Sequence, residues 1–99
     1  MDYRIVWSES ALRDLRDIVQ YIARDDPKAA ERFGNLIISK VLNLCAFPRI
    51  GRIVPEFRED RLREIILTPY RIVYEIDDNY SPLSVLRVWH GARGSMQLP

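Results

Sequence analysis

The residues best suited to chemistry lie between Leu62 and Arg93, in the run LREIILTPYRIVYEIDDNYSPLSVLRVWHGAR, with GRIVPEF (Gly51 to Phe57) upstream. Apolar segments alternate there with arginine, and the chain's single histidine, His90, closes the last of them. An arginine at the start of one strand and a histidine at the end of another can meet on one sheet face. Guanidinium forks bind carboxylate and phosphate bidentately and stack on aromatic rings. Imidazole changes charge near neutral pH. This half of the chain therefore reads as either a phosphate-handling surface or a protein-docking surface.

Size and composition narrow the choice. A chain of 99 residues, 47% hydrophobic and 29% charged, is expected to form one domain (1–99) that buries ~60–65% of its unfolded surface. The formal net charge is only +1. Of the 15 basic residues, Lys28 and Lys40 are the only lysines and the rest are arginine. Beyond Asn79 the chain carries Arg87 and Arg93 and no acid, a weak signature for nucleic acid. Cys45 is the only cysteine. It cannot form an intramolecular disulfide and sits in an apolar run, so a buried, inert thiol in a reducing compartment is expected. MDYRIVW lacks the basic start and long apolar core of a signal peptide, and no run approaches the ~20 apolar residues of a membrane span. The expectation is a cytoplasmic protein, with disorder confined to Ser95–Pro99. One histidine and one cysteine exclude a structural zinc site within the chain, and no motif calls for a cofactor.

The elements that must position these residues follow from periodicity. Tyr3–Trp7 is short and rich in β-formers, a strand. Ser8 suits a helix cap, and Leu12, Leu15, Ile18, Val19 and Ile22 mark an amphipathic helix from about Glu9 to Ala23, with Arg13, Asp14, Arg16 and Asp17 facing away. Asp26-Pro27 restarts a second helix, carried by Ala30, Phe33, Ile37, Val41 and Leu44 to about Ala46. Ile38, Leu42 and Cys45 widen its apolar surface, so part of it can await a partner. Gly34 in its middle points to a close helix crossing. Phe47–Arg61 reads as irregular. Three strands follow, about Leu62–Leu67, Tyr70–Asp77 and Leu83–His90, joined by Thr68-Pro69 and by Asp78–Pro82 as an antiparallel meander. Arg71, Val73 and Glu75 share one face of the middle strand, and Tyr70, Ile72, Tyr74 and Ile76 the other. Trp89 is in phase with Val85 and Leu83 and is expected in the core. The class is α+β, with the order β-α-α-β-β-β and a helical hairpin on one face of a small, mainly antiparallel sheet.

The Asp-Pro restart with Ala29-Ala30, then FPRIGRIVPEF, LREI, YRIVYEI and VWHGAR in this order, resembles toxins of the RelE/ParE superfamily from bacterial type II toxin–antitoxin modules. The resemblance covers nearly the whole chain. It implies a cognate antitoxin that wraps the toxin with a helical segment, and Ile38 and Leu42 are candidates to receive it. ParE-like members poison DNA gyrase by binding. RelE-like and YoeB-like members cleave mRNA on the ribosome.

Under the ribonuclease alternative the resemblance assigns Glu56 as base, Arg71 as phosphate clamp and His90 as acid, with Arg63 and Arg87 as further phosphate contacts. Such cleavage needs a base on the 2′-hydroxyl, a cation on the phosphate and an acid on the leaving oxygen. Three departures weaken it. No lysine follows Lys40, Gly91 stands where YoeB-like toxins carry an aromatic residue, and the charge of +1 is low for a ribosome-binding protein. VWHGAR is close to the ending common in ParE-like and plasmid stabilisation proteins. The docking alternative rests on Arg49, Arg52, Arg58 and Arg61 in the loop, Arg93 in the C-terminus, and the nearby aromatics Tyr80 and, were it to face outward, Trp89. A toxin reduced to an antitoxin-binding module is the third reading.

Overall fold

The computed structural model describes residues 3–79 and 82–99. Chain order is β1 (Arg4–Trp7), α1 (Glu9–Ala23), α2 (Pro27–Asn43), β2 (Arg52–Ile53), β3 (Leu62–Leu67), β4 (Tyr70–Ile76) and β5 (Pro82–His90). The strands form one sheet ordered β1-β5-β4-β3-β2. β1 runs parallel to β5, and every other pairing is antiparallel. The expected α+β architecture is present, with one addition. The loop before β3 contains the two-residue strand β2, which pairs Arg52 with Glu64 and Ile53 with Arg63.

Capping explains the helix boundaries. Ser8 accepts from the Ala11 amide at 3.0 Å while its own hydroxyl donates to the Leu86 carbonyl at 2.9 Å. Asp26 accepts from the Ala29 amide at 3.0 Å, and Pro27 occupies the first helical turn. α2 stops at Asn43, shorter than expected from its apolar spacing. No described helix is long and apolar enough to cross a membrane.

Two cores sandwich the sheet. Between helices and sheet lie Ala11, Ile37, Val41, Leu44, Ile72, Tyr74, Ile76, Leu83, Val85 and Val88. On the opposite face Val54, Leu62, Val73, Trp89 and Met96 form a second cluster, joined by Leu86 and Leu98. Met96 is buried there and the Gln97 carbonyl accepts from Arg87 at 2.9 Å, so the C-terminal segment expected to be disordered folds over the sheet. Cys45 is half-buried rather than enclosed.

A β-bulge decides which residues face which core. Val73 pairs with Arg87 and Tyr74 with Val85, leaving Leu86 as the extra residue on β5. One added residue inverts the alternation of everything beyond it. Leu83 and Val85 face the helices before the bulge, and Val88 does so after it. Trp89 is consequently buried, as its apolar run suggests, but on the face opposite to Val85.

Tyr74 closes the irregular loop from within. Its hydroxyl accepts from the Gly51 amide at 3.1 Å and donates to the Pro48 carbonyl at 2.6 Å. A Cβ at Gly51 would lie 2.6 Å from both the Glu64 carbonyl and the Tyr74 hydroxyl, whereas one at Gly34 would meet only Val19, at 3.5 Å. The helix crossing therefore leaves room for a methyl at Gly34, contrary to the close contact expected there. Opposite outcomes follow for the two glycines. In urea unfolding, Gly34→Ala should be neutral or stabilise by up to ~1 kcal/mol. Gly51→Ala should destabilise by about 1–3 kcal/mol.

Candidate functional site

Glu64 organises the face of the sheet away from the helices. It shares that face with Leu62, and its side chain is fully buried. One carboxylate oxygen accepts from Arg52 Nε at 2.7 Å, the other from Arg71 Nε at 2.6 Å. A buried carboxylate without such partners would cost several kcal/mol. The outer fork of Arg71 grips Glu56, with Nη1 and Nη2 each donating to one carboxylate oxygen at 2.6 and 2.7 Å. The result is a ladder Arg52–Glu64–Arg71–Glu56 in which opposite charges alternate. The Arg71 guanidinium beside Glu56 holds that carboxyl well below its usual range, at about 2, and the same contact pushes the Arg71 pKa upward.

Glu56 and Arg71 are thus brought together, but as partners that neutralise one another. His90 is not with them. Its register partner is Tyr70, while that of Arg71 is Trp89, which places imidazole and guanidinium on opposite faces of the sheet. His90 lies edge-on to Tyr70 at 5.2 Å, and Tyr70 packs against Phe33 of α2. His90 Nδ1 accepts from the Ala92 amide at 3.0 Å. It lines a cleft on the helical side with Asp17, Ile18, Tyr21, Tyr70, Val88 and Arg93. The suggested meeting of Arg71 and His90 on one face does not occur, because the bulge at Leu86 shifts His90 to the other side.

The remaining candidate arginines divide sharply. Arg63 donates to the Gly51 carbonyl at 3.1 Å, to the Asp60 carbonyl at 2.8 Å and to the Asp60 carboxylate. Arg87 holds Asp14 of α1 bidentately at 2.7 and 2.8 Å. Both phosphate candidates thus have internal carboxylate partners. Asp14, expected to face solvent, instead also accepts from the Val88 amide at 3.0 Å. It closes the edge of β5 where β1 has ended. Arg49 bridges Asp60 and Asp78, and Asp78 also takes the Tyr3 hydroxyl. Arg61 pairs with Glu59 and Glu75. Arg71 selects Glu64 and Glu56 rather than Glu75, its neighbour in phase on β4. Among the described residues the guanidinium of Arg58 has no hydrogen-bonded or ionic partner, and that of Arg93 has only the Trp89 ring, 4.3 Å away, with Arg87 over the same ring at 4.7 Å.

The aromatic and apolar candidates also separate. Trp89 is buried rather than exposed, and Tyr80 lies outside the described residues. Ile38 and Leu42 are exposed on α2, by 44% and 59%. Sequence reasoning missed Glu64 and Asp14 as the two carboxylates that hold arginines in place. An acid sharing the buried face of an apolar strand was the available signal for Glu64. For Asp14 the helical pattern pointed the wrong way.

The profile of the family described as "ParE toxin of type II toxin-antitoxin system, parDE" matches residues 5–94. Toxin RelE2 of Caulobacter vibrioides is 32% identical over 91 residues, covering 91% of this chain and 97% of that protein. The chain therefore belongs to the ParE toxin family, within the RelE/ParE superfamily of type II toxins. Solved structures agree in fold. A chain from the chromosomal ParDE system of Pseudomonas aeruginosa superimposes with a TM-score of 0.73 at 19% identity, covering 89% of this chain and 95% of that one. One from the RelBE2 complex of Mycobacterium tuberculosis does so with 0.65 at 25% identity, covering 91% and 99%.

The Glu56–Arg71 pair has a pH signature. Because the folded-state pKa of Glu56 is depressed to about 2, the pair stabilises the fold fully above the ordinary carboxylate range and loses that contribution as pH falls towards the depressed value. In urea titrations across the acid range, Glu56→Gln should lower stability at neutral pH and flatten the loss below about pH 5. An unchanged acid slope would show that the pair contributes nothing.

Proposed function

We propose that this toxin arrests growth by binding DNA gyrase and that a cognate antitoxin holds it inactive, docking on the exposed Ile38–Leu42 face of α2. Arg58 of the arginine loop and Arg93 form the candidate target surface, while Arg49, Arg52 and Arg61 of that loop are held by internal carboxylates. One observation carries the choice of binding over catalysis: His90 stands across the sheet from Arg71, and Arg71 is already neutralised by Glu56 and Glu64. A base, a clamp and an acid must converge on one phosphate, and these three residues do not share a hollow. Membership of the ParE family supports gyrase as target. The solved relatives from ParDE and RelBE systems support an antitoxin partner.

A second reading, a ribosome-dependent mRNA endonuclease, draws on the similarity to the relative named toxin RelE2. It requires Glu56 to leave Arg71 before either can act. The reading as an antitoxin-binding module without toxicity is tested by the same experiment.

Purified protein is assayed for gyrase-dependent DNA cleavage complexes and, in parallel, for mRNA cuts in a translation extract. The expected result is cleavage complexes that persist within about threefold in the His90→Ala variant, a change of under 1 kcal/mol. Codon-phased mRNA cuts that vanish in His90→Ala and Arg71→Ala would hand the function to ribonuclease. Neither activity, with antitoxin still bound, would leave only the binding module.

A further inference from the structure

Between Arg49 and Glu64 the chain carries five arginines and four acids. Each acid pairs with an arginine other than Arg58: Glu56 with Arg71, Glu59 with Arg61, Asp60 with Arg49 and Arg63, Glu64 with Arg52 and Arg71. Arg58 is the remainder. It is also the one described non-glycine residue in the left-handed region, with φ 53°. A side chain there strains the backbone, and glycine or asparagine would take the same conformation more readily.

The loop around it is held at several points. The Val54 amide donates to the Leu62 carbonyl at 3.1 Å, which closes the loop at its base. Val54 is buried, and its carbonyl accepts from the Phe57 and Arg58 amides at 3.2 and 3.0 Å. Glu56 is clamped to Arg71 on one side, and Arg61 to Glu59 and Glu75 on the other. A free guanidinium is therefore presented on a pre-ordered turn, beside Phe57, which is 37% exposed. Pre-ordering lowers the entropy lost on binding, and arginine beside an aromatic residue is the composition of interface hot spots.

From this we infer that Arg58, with Phe57, is the arginine of the loop that contacts the protein target, and that the target meets it with a carboxylate next to an apolar patch. Arg49, Arg52 and Arg61 hold the loop's shape. A single unneutralised cation among Glu56, Glu59 and Asp60 suits one carboxylate. It does not suit a phosphate backbone, which draws affinity from many neutralised charges at once. The inference rests on the protein-target reading above and sharpens it to one side chain.

The test uses the full chain with Arg58→Gly, Arg58→Asn, Arg58→Lys and, as a control, Arg61→Gln. Thermal midpoints, growth arrest on expression without antitoxin, affinity for purified gyrase and affinity for a single-stranded RNA are measured for each. Arg58→Gly and Arg58→Asn should melt at or above the wild-type temperature, yet bind gyrase at least about tenfold more weakly and arrest growth less. Arg58→Lys should recover part of both, and Arg61→Gln should keep affinity within about threefold while melting lower. Wild-type affinity and arrest in the glycine and asparagine variants would overturn the inference. If the wild type does not bind gyrase but the glycine variant still loses growth arrest, the gyrase reading falls and the role of Arg58 stands. Loss of RNA binding with gyrase binding intact would overturn the carboxylate assignment.

Discussion

A fully buried carboxylate is the constraint around which the sheet is arranged. Glu64 has both oxygens committed, one to Arg52 and one to Arg71. Removing either arginine leaves one buried carboxylate oxygen without a hydrogen-bond partner, which is costly, so both must be delivered to it. Arg52 reaches Glu64 only because two residues of the preceding loop join the sheet edge as β2, with Arg52 opposite Glu64. Arg71 reaches it from the neighbouring strand, and its free fork then recruits Glu56 from the loop. One carboxylate thus specifies a sheet edge, the direction of an arginine and the anchor of a loop.

The same economy runs through the molecule. Asp14 fixes Arg87 and closes the open edge of β5. Asp60 gathers Arg49 and Arg63, and together they hold its carboxyl below the usual range, Arg63 contributing most. The arginines of the loop and sheet that suggested phosphate chemistry turn out, Arg58 and Arg93 apart, to be architectural. Among the described candidate residues, Arg58 on its held turn and Arg93 stacked on Trp89 lack a carboxylate partner, and Ile38 and Leu42 stand exposed on α2. Such groups suit recognition by shape and single contacts rather than by a long electrostatic footprint.

Much of this architecture was legible in the chain. α1 matches its periodicity from Glu9 to Ala23, both caps fall where Ser8 and Asp26-Pro27 put them, and β3 has the expected bounds. Local pattern sufficed there because caps and alternation are short-range. β2 was hidden because two residues cannot show a period. The bulge was hidden because VLRVW places apolar residues on both faces whichever way it is phased, and only pairing reveals that Leu86 has no opposite number. That one residue accounts for the misplaced face of Trp89 and for the separation of His90 from Arg71. Of the candidate site, Glu56 and Arg71 were grouped only by the resemblance, together with His90, and they meet here as an ion pair. The choice of Glu64 over Glu75 was not anticipated, since both acids lie within reach of an arginine in any sheet and burial selects between them.

A double-mutant cycle between Glu64 and Arg71 tests most directly whether these arginines are structural. Glu64→Gln, Arg71→Gln and the double variant are unfolded in urea at neutral pH. A coupling energy of about 2 kcal/mol or more, with each single variant less stable than the pair's removal would suggest, is the predicted outcome. A coupling below about 0.5 kcal/mol, the level of independent sites, would mean that Arg71 is free for other work and that the structural role assigned to it is wrong.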